Sequence, residues 1–224
     1  MTVKVTREAE PQIELYGAYS GQLDGNGRVS LTFTATDTYL IMVAKNAVSR
    51  PQLELGAFAT SYIPTDASTV TRNADVASLA TSQFPYSQSA GSIVVSYDTL
   101  LNLNSSGVFS LNAGSSADRI DTRSNGAVVV SVAGVDQGSN TLSVGSAGTI
   151  NKVGVAISVD NLAAVANGGT AITDTTVTMP AAATVLNIGY LNNSAGNYLL
   201  NGHIRQITYV PRRLTDAELI ARTA

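Results

Sequence analysis

The sequence predicts an all-β fold: an antiparallel two-sheet sandwich, preceded by a small β module and closed by one short helix. Three observations predict it. Charged residues make up only 13% of the 224 positions, and Ser, Thr, Asn, Gly, Ala and Val dominate the rest, which suits short strands and polar turns rather than long helices. Apolar residues recur with a period of two, which puts each set on one face of a strand. Turn signals separate the strand candidates at short intervals, the spacing of an antiparallel sandwich. No fixed-length repeat is present, which argues against a propeller or solenoid.

The elements follow in chain order. Val3 and Val5 alternate, as do Val29, Leu31 and Phe33 with Ser30, Thr32 and Thr34 between them. Asp24-Gly25-Asn26-Gly27 carries the residues that accept the positive φ of a tight hairpin. Thr38–Ala44 and Pro51–Gly56 complete four or five expected strands in a module over residues 1–56. Residues 57–75 read as an extended connector, because Pro64 cannot donate to a ladder. No glutamate and only one lysine, Lys152, lie between Glu54 and Glu218, a composition shift that marks the boundary.

From residue 76 to 224 the expected strands are Ser92–Asp98, Gly107–Asn112, Arg119–Arg123, Ala127–Ala133, Lys152–Val159, Ala163–Ala166, Val185–Tyr190 and His203–Val210. The turns between them are Ser124-Asn125-Gly126, Asp136–Asn140, Asn167-Gly168-Gly169 and Asn192–Gly196. A helix is expected from Asp216 to Arg222: Thr215 and Glu218 form a capping box, with Leu214 and Leu219 as its staple.

Three strings resemble parts of laminin-G-like, concanavalin A-like sandwich domains of bacteriophage virion proteins. One runs from Gln52 through Pro64-Thr65 to Val76, one is Leu162–Gly169, and one is Tyr198–Leu219. The resemblance covers most of residues 50–224. It implies a jelly-roll sandwich, a structural role in a tail fibre, tail tip or capsid decoration, exposure on the released particle, other virion proteins as partners, and, by analogy, a homotrimer. The N-terminal module is about half the length of a complete jelly roll, so it is expected to dock on a neighbour that completes its sheets.

The chemistry is weighed residue by residue. A net charge of −3 and the lack of a basic run interleaved with aromatics speak against nucleic acid. There is no cysteine, hence no disulfide or thiolate metal site. No apolar stretch is long enough to insert in a membrane, and the N-terminus shows no signal core. Glycan binding needs an aromatic platform beside polar groups. With no tryptophan, the candidates are Tyr190 and Tyr198 flanking Asn192 and Asn193, together with Asp118 and Arg119. A host surface glycan is the ligand this set would take, although partly buried strand tyrosines would give the same pattern. Calcium at a sandwich rim would use Asp118, Asp121, Asp136 or Asp174, but these are scattered turn aspartates, so no cofactor is required. Glycosidases pair two carboxylates across a cleft. The sandwich offers no glutamate before Glu218, and Asp118 and Asp121 point to opposite faces of a strand, so no enzyme is expected. His203, the one histidine, has no partner visible in the sequence.

Overall fold

In the computed structural model, the described residues are 2–7, 13–23, 28–45, 48–54, 61–71, 75–100, 106–191 and 198–224. They divide into two compact units, Met1–Asn73 and Ala74–Ala224.

The first unit holds six strands: β1 (Thr2–Arg7), β2 (Ile13–Gly17), β3 (Gly21–Leu23), β4 (Arg28–Thr32), β5 (Leu40–Ala44) and β6 (Val48–Glu54). They form two three-stranded antiparallel sheets, ordered β4-β1-β6 and β3-β2-β5. Ile13, Leu15 and Phe33 are buried, ringed by Tyr19, Leu31 and Leu40. Two expectations change here. Asp24–Gly27 lies outside the described residues, but β3 and β4 on either side of it belong to different sheets. Pro51 lies inside β6 and not at its start. The register of β6 against β1 shifts there, and Arg50 takes a φ of 53°. A bulge on an outer strand is where a residue without an N–H is tolerated. The Gln52 side chain then ties the following segment down, accepting from the Ile63 amide at 2.9 Å.

The second unit is the sandwich. Its strands are β7 (Ala77–Ala80), β8 (Ala90–Thr99), β9 (Gly107–Asn112), β10 (Arg119–Arg123), β11 (Ala127–Val132), β12 (Val135–Thr141), β13 (Asn151–Ser158), β14 (Asn161–Ala166), β15 (Ile172–Asp174), β16 (Val185–Ile188) and β17 (Gly202–Val210). One sheet is ordered β12-β11-β10-β9-β16-β7 and the other β15-β14-β13-β8-β17. Alternate residues of both sheets fill the space between them: Ile93, Val95 and Tyr97 from β8, Phe109 and Leu111 from β9, Val153, Val155 and Ile157 from β13. This is the antiparallel jelly-roll architecture expected, with the short C-terminal helix added.

All eight predicted strands of this unit form. Asp136–Asn140, expected as a turn, is instead the body of β12. The true turn lies just before it at Ala133-Gly134, with φ of 49° and 82°, the two positive values a tight hairpin requires. β16 stops at Ile188 because Gly189 takes a φ of 77°. Gly126 is dictated twice over: its φ is +83°, and a Cβ there would meet the Leu142 carbonyl oxygen at 2.2 Å.

Helix α1 (Asp216–Thr223) forms as its capping box predicts. The Glu218 amide donates to Thr215 Oγ1 at 3.2 Å, and the Thr215 amide donates back to Glu218 Oε2 at 2.8 Å. Arg212 grips the same carboxylate through both terminal nitrogens, at 2.9 and 2.6 Å. The Arg212 hydrogen bond, then the Thr215 amide, hold the Glu218 pKa down at about 2, from an ordinary 4.5. The folded pKa is lowered, so Glu218's contribution is complete above 4.5 and drains away as pH falls toward 2. The melting temperature of the wild type should therefore approach that of Glu218→Gln as pH is lowered through this range, by a modest amount because the pair is exposed. A gap between the two that stays constant down to pH 2 contradicts this. Among the described residues, no helix is long and apolar enough to cross a membrane.

Candidate functional site

Each sheet has an outer face, and sequence alternation decides what it carries. In β9 and β10 the residues between the core positions Leu111 and Ile120 are polar: Ser110, Asn112, Arg119, Asp121 and Arg123. Pairing lines them up across the six-stranded sheet. One row reads Val185, Asn112, Arg119, Ser131, Asp136 across β16 to β12. The next reads Asn187, Ser110, Asp121, Val129. Five strands thus place a band of polar side chains on one face of the sheet, where Ser110, Asn112 and Ser131 are 0% exposed, Asn187 is 3% exposed and Asp136 alone of the two rows stands open to solvent.

Arg119 organises the band. It is only 8% exposed. Its Nε donates to Asp121 Oδ2 at 2.7 Å, Nη2 donates to Asp136 Oδ1 at 3.1 Å, and Nη1 donates to the Ser116 carbonyl. Asp121 is 1% exposed, and this burial pushes its pKa up. The Ser110 hydroxyl, Arg119 and Arg123 pull the other way without overcoming it. Asn112 bonds Ser110 through Nδ2 and accepts the Gly114 amide at 3.0 Å. Asp121 Oδ1, Ser131 Oγ and Arg123 Nε are buried with no partner among the described residues. Buried polar groups are rarely left so, and ordered water is what commonly completes such a network.

The sequence candidates fall into three groups. Arg119 lies within the band, and Tyr190 reaches its edge on β16, where the Tyr190 hydroxyl donates to Asn187 Oδ1 at 2.9 Å. Asp118 and Tyr198 have local bonding roles. Asp118 Oδ1 accepts the Ala133 amide at 3.3 Å and the Ala181 amide at 3.0 Å, pinning two loops. The Tyr198 carbonyl accepts from Gly107 at 2.7 Å. Asn192 and Asn193 lie outside the described residues. Ser110, Asn112, Arg123, Ser131 and Asn187 join the face without being sequence candidates, although the polar alternation of β9 and β10 is legible in the sequence.

Other places on the sandwich are less suited to a ligand. The cavity between the sheets, lined by Tyr86, Ile93, Phe109, Ile157 and Tyr209, is about 20 Å³, room for one water and no sugar. Among the described residues, no three His, Asp or Glu side chains gather as they would around a metal. Asp121 and Asp136 serve Arg119, and Asp174 accepts from the Thr176 amide at 2.8 Å. His203 has a carboxylate neighbour that no sequence pattern shows. Asp98 on β8, opposite it in register, lies 3.2 Å from Nδ1. The two are 105 residues apart, so no local signal could reveal the pair.

No protein-family model matches the chain, and neither does any curated protein. Solved structures do. The NanB sialidase of Streptococcus pneumoniae matches with a TM-score of 0.52 at 18% identity, covering 65% of this chain and 26% of NanB. The chain therefore spans about a quarter of that enzyme. The CBM40 module of Ruminococcus gnavus IT-sialidase, bound to α2,3-sialyllactose, matches with a TM-score of 0.52 at 17% identity, covering 68% of this chain and 96% of the module. Domain 4 of AbnA, an extracellular arabinanase from Geobacillus stearothermophilus, in complex with arabinotriose, gives 0.52 at 12% identity, covering 62% of this chain and 69% of that one. At these identities the likeness establishes the fold alone: an antiparallel two-sheet β-sandwich similar to the ones in these structures.

Proposed function

We propose that this is a non-enzymatic adhesion protein that binds glycan on the outer face of its six-stranded sheet. The observation that carries the reading is the polar band on five paired strands, with Arg119 locked at its centre and no partner among the described residues for Asp121 Oδ1, Ser131 Oγ and Arg123 Nε. Sugar recognition needs hydrogen-bonding groups fixed on a rigid element beside an aromatic ring. Here the half-buried Tyr190 supplies the ring. The bound sugars of the CBM40 module and of AbnA domain 4 support the same reading. A hydrolase is disfavoured because both carboxylates of the face, Asp121 and Asp136, are held by Arg119, whereas a glycosidase needs one free to give a proton and one free to attack or activate water.

The carrier in this proposal is a bacteriophage particle, with the sandwich displayed on a tail fibre, tail tip or capsid. The support is the resemblance of the strings around residues 52–65 and 198–219. The first unit is the docking element. Its outer strand β5 exposes Ile41 at 51%, Met42 at 39% and Val43 at 41%, an apolar edge of the kind that seeks a pairing partner. A dedicated receptor-binding lectin is the second reading, and it shares the same sugar face.

The test is a glycan array probed with the wild type and with Tyr190→Phe. Loss of the hydroxyl that orients Asn187 should weaken binding about 5–10-fold, the worth of one hydrogen bond. Binding to no glycan, or equal binding by the variant, counts against the face. A cryo-EM map of the particle, in which the protein is found or is not found on the surface, decides the carrier.

A further inference from the structure

We infer that the first unit docks on a second copy of this chain, with β5 pairing antiparallel to β5 about a two-fold axis at Met42. The inference rests on the docking reading of that unit above and names the partner.

Outer strands invite pairing with other chains, and folded proteins blunt them by shortness, charge, proline or a bulge. The other outer strands of this chain follow that rule. β6 holds Pro51 and a register shift. β3 and β15 are three residues long, and β7 is four. β4 opens with Arg28, and β12 carries Asp136. β17 has Arg205 at a register shift of its own. β5 has none of these devices. It runs Leu40-Ile41-Met42-Val43-Ala44 in unbroken register with β2. Among the described residues, nothing pairs with it on the side away from β2. Apolar side chains stand open on both of its faces. Met42 shares the core face with Leu15, while Ile41 and Val43 share the outer face with Tyr16.

The strand is complementary to itself, which favours a second copy over a foreign chain. A two-fold axis at Met42 sets Ile41 opposite Val43 of the second copy and Leu40 opposite Ala44. The first pair is β-branched on both sides, and the second sets a large side chain against a small one. Cross-strand pairs of this kind are what stabilise a sheet. The paired stretch holds no charge, so no like charges meet. Lys45, ion-paired to Glu14, comes to the margin beside the exposed Tyr39 ring of the second copy. Met42 of both copies then extends the small core of Ile13, Leu15 and Phe33. A pairing of five residues is a small interface, so the dimer is a dissociable one.

The experiment is sedimentation of the full chain together with cross-linking. At about 100 µM the wild type should be dimeric and should dissociate on dilution. Val43→Lys puts a charge on the edge and should raise the dimer dissociation constant about 10-fold or more. Val135→Lys, at a more exposed position on β12, should leave it unchanged. The chain has no cysteine, so Met42→Cys under a mild oxidant reports the axis. Opposite Cα atoms of paired strands lie within disulfide range, and the new thiol should cross-link to its own mate. Ile41→Cys should cross-link with Val43→Cys more readily than with itself. A wild type that stays monomeric at this concentration overturns the inference and leaves the docking reading to a different partner. A trimer, a dimer indifferent to Val43→Lys, or a folded Met42→Cys dimer that does not cross-link also overturns it. A map of the particle showing attachment through the second unit alone overturns the docking reading itself.

Discussion

Arg119→Met should destabilise the sandwich by about 3–5 kcal/mol, the cost of leaving one member of a buried ion pair alone. Methionine keeps much of the apolar stem, so the loss falls mainly on the guanidinium and its partners. Asp136 is half-exposed and can turn to water. Asp121 cannot, being 1% exposed with no partner for Oδ1 among the described residues. The signature is in the pH dependence. Burial raises the Asp121 pKa above 3.8 even with Arg119 beside it, and removing the cation raises it further. An acid whose folded pKa is raised binds more protons folded than unfolded, so stability falls as pH climbs from 3.8 through the folded value. The variant should therefore be closest to wild type in acid and furthest from it at neutral pH. Adding Asp121→Asn to it should restore most of the loss at pH 7, since a neutral amide is far cheaper to bury. Urea titrations of the three proteins at several pH values measure this. A flat penalty of under about 1 kcal/mol would mean that Asp121 is better solvated than its burial implies.

The sandwich was legible where one physical cause acted alone. The capping box of Thr215 and Glu218 is a local arrangement, and the helix begins where it places it. Gly107–Asn112 and Arg119–Arg123 match the observed β9 and β10 to the residue, because a strand with one face on the core must alternate. β12 was missed for the converse reason. Asp136, Gln137, Gly138, Ser139 and Asn140 have turn chemistry, and pairing to β11 overrides it. β7 and β15 are outer strands of three or four residues, too short to show a period. In the first unit, Pro51 read as a strand start because the bulge that accommodates it depends on β1, which lies far away in the chain.

The site was half legible for a related reason. The sequence sets Arg119 beside Asp118, its neighbour in the chain. Strand geometry instead gives Arg119 its relations with Asp121, two positions along, and with Asp136 across the sheet. In the sequence Tyr190 is an aromatic near a loop; its link to the band runs through Asn187, which pairs with Ser110 on another strand. Register is non-local, so alternation can say that a face is polar but not which polar groups meet on it.

Leu219→Ala should cost about 2–5 kcal/mol, the range for truncating a fully buried leucine. Leu219 and Leu214 are both 0% exposed and pack with Ala156, Ala163 and Val165 on the outer face of the five-stranded sheet. That contact requires Gly154 on β13, where a Cβ would lie 2.7 Å from Leu219 Cδ1 and 3.0 Å from Thr223 Cγ2. Alanine is normally better than glycine in a strand, so the strand itself should gain from Gly154→Ala while the helix is pushed off. The single change should destabilise the wild type, and in Leu219→Ala the same methyl should enter the space the leucine left. The double variant should then be more stable than the sum of the two losses, with a coupling on the order of 1 kcal/mol. Simple additivity would mean that the helix and β13 do not touch as described. The point bears on function because the helix seals much of the outer face of the five-stranded sheet. A variant with a loosened helix that still binds glycan with wild-type affinity would place the sugar on the opposite sheet, where the Arg119 band lies.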